Sequence, residues 1–326
     1  MHTKTTKFPS IISSRTVAMR SAAVGVSKTG KNCTKKIDRW LRARPATAIT
    51  MLARVRKSFQ FGTDLWDPSS RFETSWLLPP FLLFAIRAAI GLYILITRLL
   101  IIGKTCSDEG CALVRQEFSY FTVLTYWGLG FYFLIAAAHT LTYALTARPL
   151  LDRFPRPLQA LHSLYYTTVT TYPFLVTIVY WAILYEGPWP ANVFEGWRNL
   201  SQHGLNAVFA LFEVIFPRTN PFPWIHVLWL IVILALYLAL AFITHATKGF
   251  YPYSFLDPGP DGPGGRGWVA VYIICILVAV IVIYVVIKAI IWFRVWVTEG
   301  RMHMDGKFTN QRRHADPDAE MATVQK

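Results

Sequence analysis

Six apolar stretches, joined by connections too short to fold by themselves, dominate this chain of 326 residues and leave it few architectures. They run from Leu77 to Ile102, Phe118 to Leu145, Leu158 to Leu184, Leu200 to Phe216, Trp224 to Thr244 and Trp268 to Trp292. A helix rises about 1.5 Å per residue and bilayer hydrocarbon is about 30 Å thick, so all but the fourth stretch are long enough to cross. With 54% hydrophobic residues and a mean hydropathy of +0.36, the chain is too apolar for a soluble protein of its size. The fold class expected is an all-α polytopic membrane protein with six transmembrane helices. Residues 1–71 form a basic cytosolic tail, partly disordered; 72–296 form the six-helix membrane domain; 297–326 form a cytosolic polar tail. No room remains for a soluble catalytic domain.

Charge sets the orientation. Residues 1–71 hold 15 Lys and Arg against Asp38, Asp64 and Asp67, which is +12 of a net +15. Basic segments beside a membrane stay on the cytosolic side, and six spans return the C-terminus there too. The loops after the first, third and fifth spans then face the lumen or exterior of an endomembrane compartment, the endoplasmic reticulum or the plasma membrane. The expected partners are membrane lipids, with the tail on anionic headgroups, where each basic residue adds about 1 kcal/mol; nucleic acid is not expected. Between residues 46 and 61, Ile49, Leu52, Val55 and Phe59 recur at helical spacing among Arg54, Arg56 and Lys57, the pattern of a helix lying in the headgroup layer. A disordered tether is the equal alternative. In the first external loop, C-S-D-E-G-C places Cys106 and Cys111 where an oxidising compartment permits a disulfide.

The fourth stretch carries the best functional clue. Asn199, Gln202, His203, Asn206 and Glu213 fall close to one helical stripe, while Leu205, Val208, Leu211, Phe212 and Ile215 remain for apolar surroundings. An ionised carboxylate at a helix centre costs roughly 3 kcal/mol in lipid, so the stripe faces other helices or a cavity. Glu213 is read as a protonated carboxyl hydrogen-bonded to a neighbouring helix, Arg87 and Lys288 being the only basic side chains near its depth; proton relay or cation binding in a transporter is the second reading. The chain shows neither an internal repeat nor an obviously broken helix, which makes a transporter the weakest class.

Thr125, His203, Asn206 and His245 all fall at the lumenal end of the proposed topology, where they are expected to form a shallow polar pocket that opens to the lumen and binds a lipid, with Thr171 and Tyr172 adjoining. A hydroxyl nucleophile needs a base within hydrogen-bond reach, and Thr125 with His203 or His245 has the types required. Against this, a Thr in a membrane helix commonly bonds its own i−4 carbonyl, and an interfacial His is often a packing residue. No metal is expected: Glu213 lies ten residues from His203, about 15 Å along the helix, too far to share an ion. His139 and His162 belong to the other end. No cofactor motif is present.

Thr125 within V-L-T-Y-W-G-L, the segment Q-H-G-L-N from Gln202 to Asn206, and H-A-T-K-G-F-Y-P-Y from His245 resemble, in that order, the androgen-induced FAR/AIG-like membrane proteins and the related rolling stone proteins. The resemblance covers roughly residues 74 to 296. It implies a six-span fold and, from the androgen-induced branch, a Thr-dependent hydrolase of fatty acid esters with Thr125 as nucleophile. That branch has a second His in its fourth helix where this chain has Asn206, so the base falls to His203 or His245 and Asn206 becomes an oxyanion donor or orienting group. The H-x-x-N form is closer to rolling stone proteins, for which the resemblance implies a structural or cell-fusion role without catalysis.

Overall fold

The computed structural model describes residues 66–304 except 68, 261 and 263, together with 51 and 53. The chain divides into two units, Met1–Ala53 and Arg54–Lys326, and the helical body lies in the second. Of the expected headgroup helix over 46–61 only residues 51 and 53 are described, both helical; the rest of it, the remainder of the basic tail and the polar tail beyond 304 lie outside the described residues.

Pro79 and Pro80 start the first helix, α1 (Pro80–Asp108), because a proline at the head of a helix gives up only an N–H that would have no partner there. A short α2 (Cys111–Glu117) leads into α3 (Phe121–Thr146), which closes on Ala147 in the left-handed region at φ 59°. The third stretch forms α4 (Arg156–Val169), α5 (Tyr172–Val179) and a π turn, Tyr180–Leu184. The break between α4 and α5 corrects the expectation of uninterrupted helices. Pro173 has no N–H for the Val169 carbonyl, and its ring crowds that position. The fourth stretch starts earlier than predicted, as α6 (Val193–Leu200), and continues through a π turn (Ser201–Leu205) into α7 (Asn206–Ile215). The last two helices are α8 (Ile225–Lys248) and α9 (Arg266–Val295), the latter running on as a π turn to Arg301.

Five of these runs are long and apolar enough to cross a membrane: Pro80–Asp108, Phe121–Thr146, Arg156–Leu184, Ile225–Lys248 and Arg266–Arg301. The run from α6 to α7 is not among them, because its polar stripe dilutes its apolarity; by length and apolarity five of the six expected spans are found among the described residues. Outward-facing Leu99, Leu100, Leu236, Ile243 and Ile274 are each more than half exposed, as suits side chains that meet lipid rather than water.

The tightest packing joins α1 to α3. A Cβ on Gly130 would lie 2.7 Å from Cγ2 of Ile94, and one on Gly91 would lie 2.8 Å from Cδ2 of Leu134. Small residues at such positions let two membrane helices approach closely. Ile94 and Leu129 belong to a buried cluster with Tyr132, Phe133, Tyr166, Tyr172, Leu230 and Tyr284, so every spanning helix contributes to one core. The first loop holds the expected disulfide between Cys106 and Cys111.

Candidate functional site

The polar stripe of α6 and α7 turns inward as expected, Asn199 and His203 meeting Tyr180 while Gln202, Asn206 and Glu213 each take a partner of their own. Asn199 Oδ1 accepts from Tyr180 Oη at 2.9 Å, and Gln202 Oε1 accepts from Arg98 at 3.2 Å. The His203 ring stacks on Tyr180 with centroids 3.5 Å apart, its Nδ1 lying 3.1 Å from the Asn199 carbonyl. Asn206 Oδ1 accepts from Thr177 at 3.0 Å, while its Nδ2 donates to the carbonyl of Pro173 at 3.3 Å. On the opposite face Val208 and Leu211 are exposed.

Glu213 corrects the reading of a neutral carboxyl. Arg87 grips it with two parallel bonds, Nε to Oε1 at 2.7 Å and Nη2 to Oε2 at 2.8 Å, both side chains being almost wholly buried. The other guanidinium nitrogen donates to the Phe72 carbonyl at 2.8 Å and to Thr140 Oγ1 at 2.6 Å, and Tyr132 adds a bond to Glu213 at 3.3 Å. Two planar groups matched in this way form the strongest type of charged hydrogen bond. Lys288, the other candidate partner, instead donates to the Phe222 carbonyl and lies over the Trp224 ring.

The predicted catalytic residues lie at one end of the bundle, the end where Cys106 and Cys111 are joined, but on separate side-chain systems. Thr125 Oγ1 donates into its own helix, toward the Phe121 carbonyl at 2.9 Å and that of Thr122 at 3.1 Å. His245 stacks on Tyr251 with centroids 3.9 Å apart, its Nδ1 buried without a partner. Among the described residues no hydrogen bond joins any two of Thr125, His203, Asn206 and His245. Of the adjoining pair, Thr171 is buried in the core, and Tyr172 Oη donates to the Leu230 carbonyl at 2.8 Å.

Where a polar pocket was expected, this end holds an apolar cavity of about 220 Å³ between α3, α5, α8 and α9, and Thr125, His203, Asn206 and His245 are not among the described residues that line it. Leu175 and Val179 wall one side, Leu234 and Leu238 another, Ile273 and Ile276 a third. The Pro- and Gly-rich loop after α8 closes it: Phe255 and Leu256, in a 3₁₀ turn, are buried against it, and Tyr253 points its hydroxyl at Thr122, which the backbone N–H of Thr122 meets at 3.3 Å. Burial pushes the Tyr253 phenol up, so it stays a protonated donor. Tyr237 donates to the Ser119 carbonyl at 3.0 Å, and Thr244 to the Ser119 hydroxyl at 3.2 Å, tying the end of α8 to the start of α3.

At the opposite end, Glu73 is buried with neither carboxylate oxygen paired. Its carboxyl is held well above the ordinary value of 4.5, first by burial and then by Asp67, with Arg87 pulling the other way. His139 and His162 pack edge to face there, 5.2 Å apart. Among the described residues no three His, Cys, Asp or Glu side chains group closely enough to hold a metal ion.

Comparison with protein-family models, curated proteins and solved structures finds no match. The site therefore stands on its geometry. Two of its parts were not singled out in the sequence. Arg98 is fully buried and pairs with Glu117 at 2.7 Å; its spacing of eleven residues from Arg87, about three helical turns, is the signal that both share one face of α1. Tyr253 ends the H-A-T-K-G-F-Y-P-Y segment, but nothing in that segment marks its hydroxyl as the one that meets Thr122.

Proposed function

We propose that this chain is a six-span membrane protein of the endomembrane system that holds a lipid in the cavity between α3, α5, α8 and α9. The run from α6 to α7 is taken as the sixth span, its polar residues masked by Arg87, Arg98, Tyr180 and Thr177 of neighbouring helices. Both termini are placed in the cytosol on the strength of the tail's charge, which puts the cavity at the lumenal end. The observation that carries the reading is the cavity itself: an apolar space between membrane helices is surrounded by acyl chains at high concentration, and lipid is the ligand its walls suit. Kinship with the androgen-induced and rolling stone proteins belongs to the same proposal and rests on the order of three motifs.

A second reading adds hydrolysis of a fatty acid ester, with Thr125 as nucleophile, His203 or His245 as base and Asn206 as oxyanion donor. One observation favours it: Thr122 lines the cavity, and Thr125 follows it at i+3, one turn beyond the lining on the same side of the helix. The Thr125 hydroxyl bonds its own helix and both His rings stack on tyrosines, so the base would have to turn out of its stack. Labelling of the purified protein by a fluorophosphonate probe, compared between wild type and Thr125→Ala, decides this reading. Loss of label in the variant supports an activated Thr125. Equal or absent labelling of folded protein removes hydrolysis and leaves lipid binding, with the polar stripe serving only to lock helices, as a rolling stone-like role would have it.

A further inference from the structure

We infer that the cavity selects an uncharged lipid with a hydroxyl in its head, of the diacylglycerol or fatty alcohol class, over phospholipids and fatty acids. This rests on the lipid-binding reading above and narrows it. No Asp, Glu, His, Lys or Arg side chain is among the described residues that line the space. A phosphate or carboxylate entering it would give up water for walls that carry no opposite charge, which is costly at bilayer depth. An acyl chain meets Ile231, Leu234, Ala235, Tyr237 and Leu238 along α8, a run of about 10 Å.

The polar atoms of the rim complement a hydroxyl. Tyr253 Oη accepts the Thr122 N–H, lies 3.5 Å from Thr122 Oγ1, the outer limit of a hydrogen bond, and is paired with the Tyr237 hydroxyl. A ligand hydroxyl entering between the two phenols would take the Tyr253 proton in place of Tyr237. Tyr237 has spent its proton on the Ser119 carbonyl, so its oxygen is left to accept. One donor and one acceptor at the mouth of an apolar slot match a group that both accepts and donates once, which an alcohol does and a carboxylate or phosphate diester does not.

The test uses the full-length protein in detergent and a photoactivatable diacylglycerol, with labelled peptides mapped by mass spectrometry. Label is expected on peptides carrying Leu234 or Ile276, competed by unlabelled diacylglycerol or a long-chain alcohol and not by phosphatidylcholine or oleate. Tyr253→Phe is expected to weaken competition by about five-fold, the worth of one net hydrogen bond. Leu234→Trp and Ile276→Trp, checked for folding by gel filtration and circular dichroism, should abolish labelling by filling the space. Competition by phosphatidylcholine or oleate equal to that by diacylglycerol, or full competition in Tyr253→Phe, overturns the selectivity and leaves lipid binding intact. No labelling of folded wild type by any lipid probe, or labelling that survives a folded tryptophan variant, overturns the lipid cavity as well.

Discussion

Removing the Glu213 carboxylate strands the Arg87 guanidinium inside the bundle, and the size of the loss follows from what remains. Arg87 makes four short polar contacts, two to Glu213 at 2.7 and 2.8 Å, one to the Phe72 carbonyl at 2.8 Å and one to Thr140 at 2.6 Å. Glu213→Ala takes the first two and leaves a buried cation with two neutral acceptors. Breaking one side of a buried pair costs about 3 to 5 kcal/mol, and the surviving acceptors put this case near the lower figure. Replacing both residues, as in Arg87→Leu with Glu213→Leu, removes the uncompensated charge and is expected to recover most of the loss, to within about 1 kcal/mol of wild type, since apolar pairs often match buried ion pairs in stability. Unfolding by SDS in mixed micelles, followed by tryptophan fluorescence, measures all three proteins. A single variant that loses less than about 1 kcal/mol, or a double variant no more stable than the single, would refute the assignment of an uncompensated charge.

Two further outcomes follow from other parts of the bundle. Glu73→Gln should raise stability at neutral pH, because the folded state keeps this carboxyl protonated while the unfolded chain ionises it near 4.5, so the wild type loses stability as pH rises above that value and the advantage of Gln should vanish as pH falls toward it; a pH series of the same SDS titration reads the slope, and a Gln variant with no pH-dependent gain would contradict the buried neutral carboxyl. Gly130→Val should cost about 1 to 3 kcal/mol, because its Cβ would sit 2.7 Å from Ile94 in a packed core, whereas the same change at Gly103, with open space around it, should be nearly neutral.

Much of the architecture could be read from the chain because hydrophobic length is a strong signal: five of the six predicted stretches match spanning helices to within a few residues at most ends, although α9 with its π turn runs on to Arg301. The inward turn of Gln202, Asn206 and Glu213 was equally legible, since polar groups in lipid have few alternatives. Their partners were not. Asn206 meets Thr177 and Pro173, and Gln202 meets Arg98, through helix adjacency that no spacing within one segment encodes. The break at Pro173 could have been found from the proline alone. The cavity could not: its walls come from four helices and a loop, and each side chain in it looks like any other core residue until the packing leaves a gap.

The π turn at Ser201–Leu205 holds one residue more than a regular helix would need over the same rise. Each residue turns an α-helix by about 100°, so the two halves of this span are set at different angles than an unbroken helix would give. Upstream of the turn the helix addresses Tyr180 through Asn199; downstream it addresses Arg87 through Glu213. Loss of Gly204 would remove the extra residue and leave the two halves in phase as one regular helix, whereas loss of a residue from the regular turns leading to Glu213, such as Val208, would turn Glu213 away from Arg87. The effect of a one-residue deletion in this span thus depends on whether it falls inside the turn or outside it, and alignment of the two halves is a property of length rather than of side-chain identity.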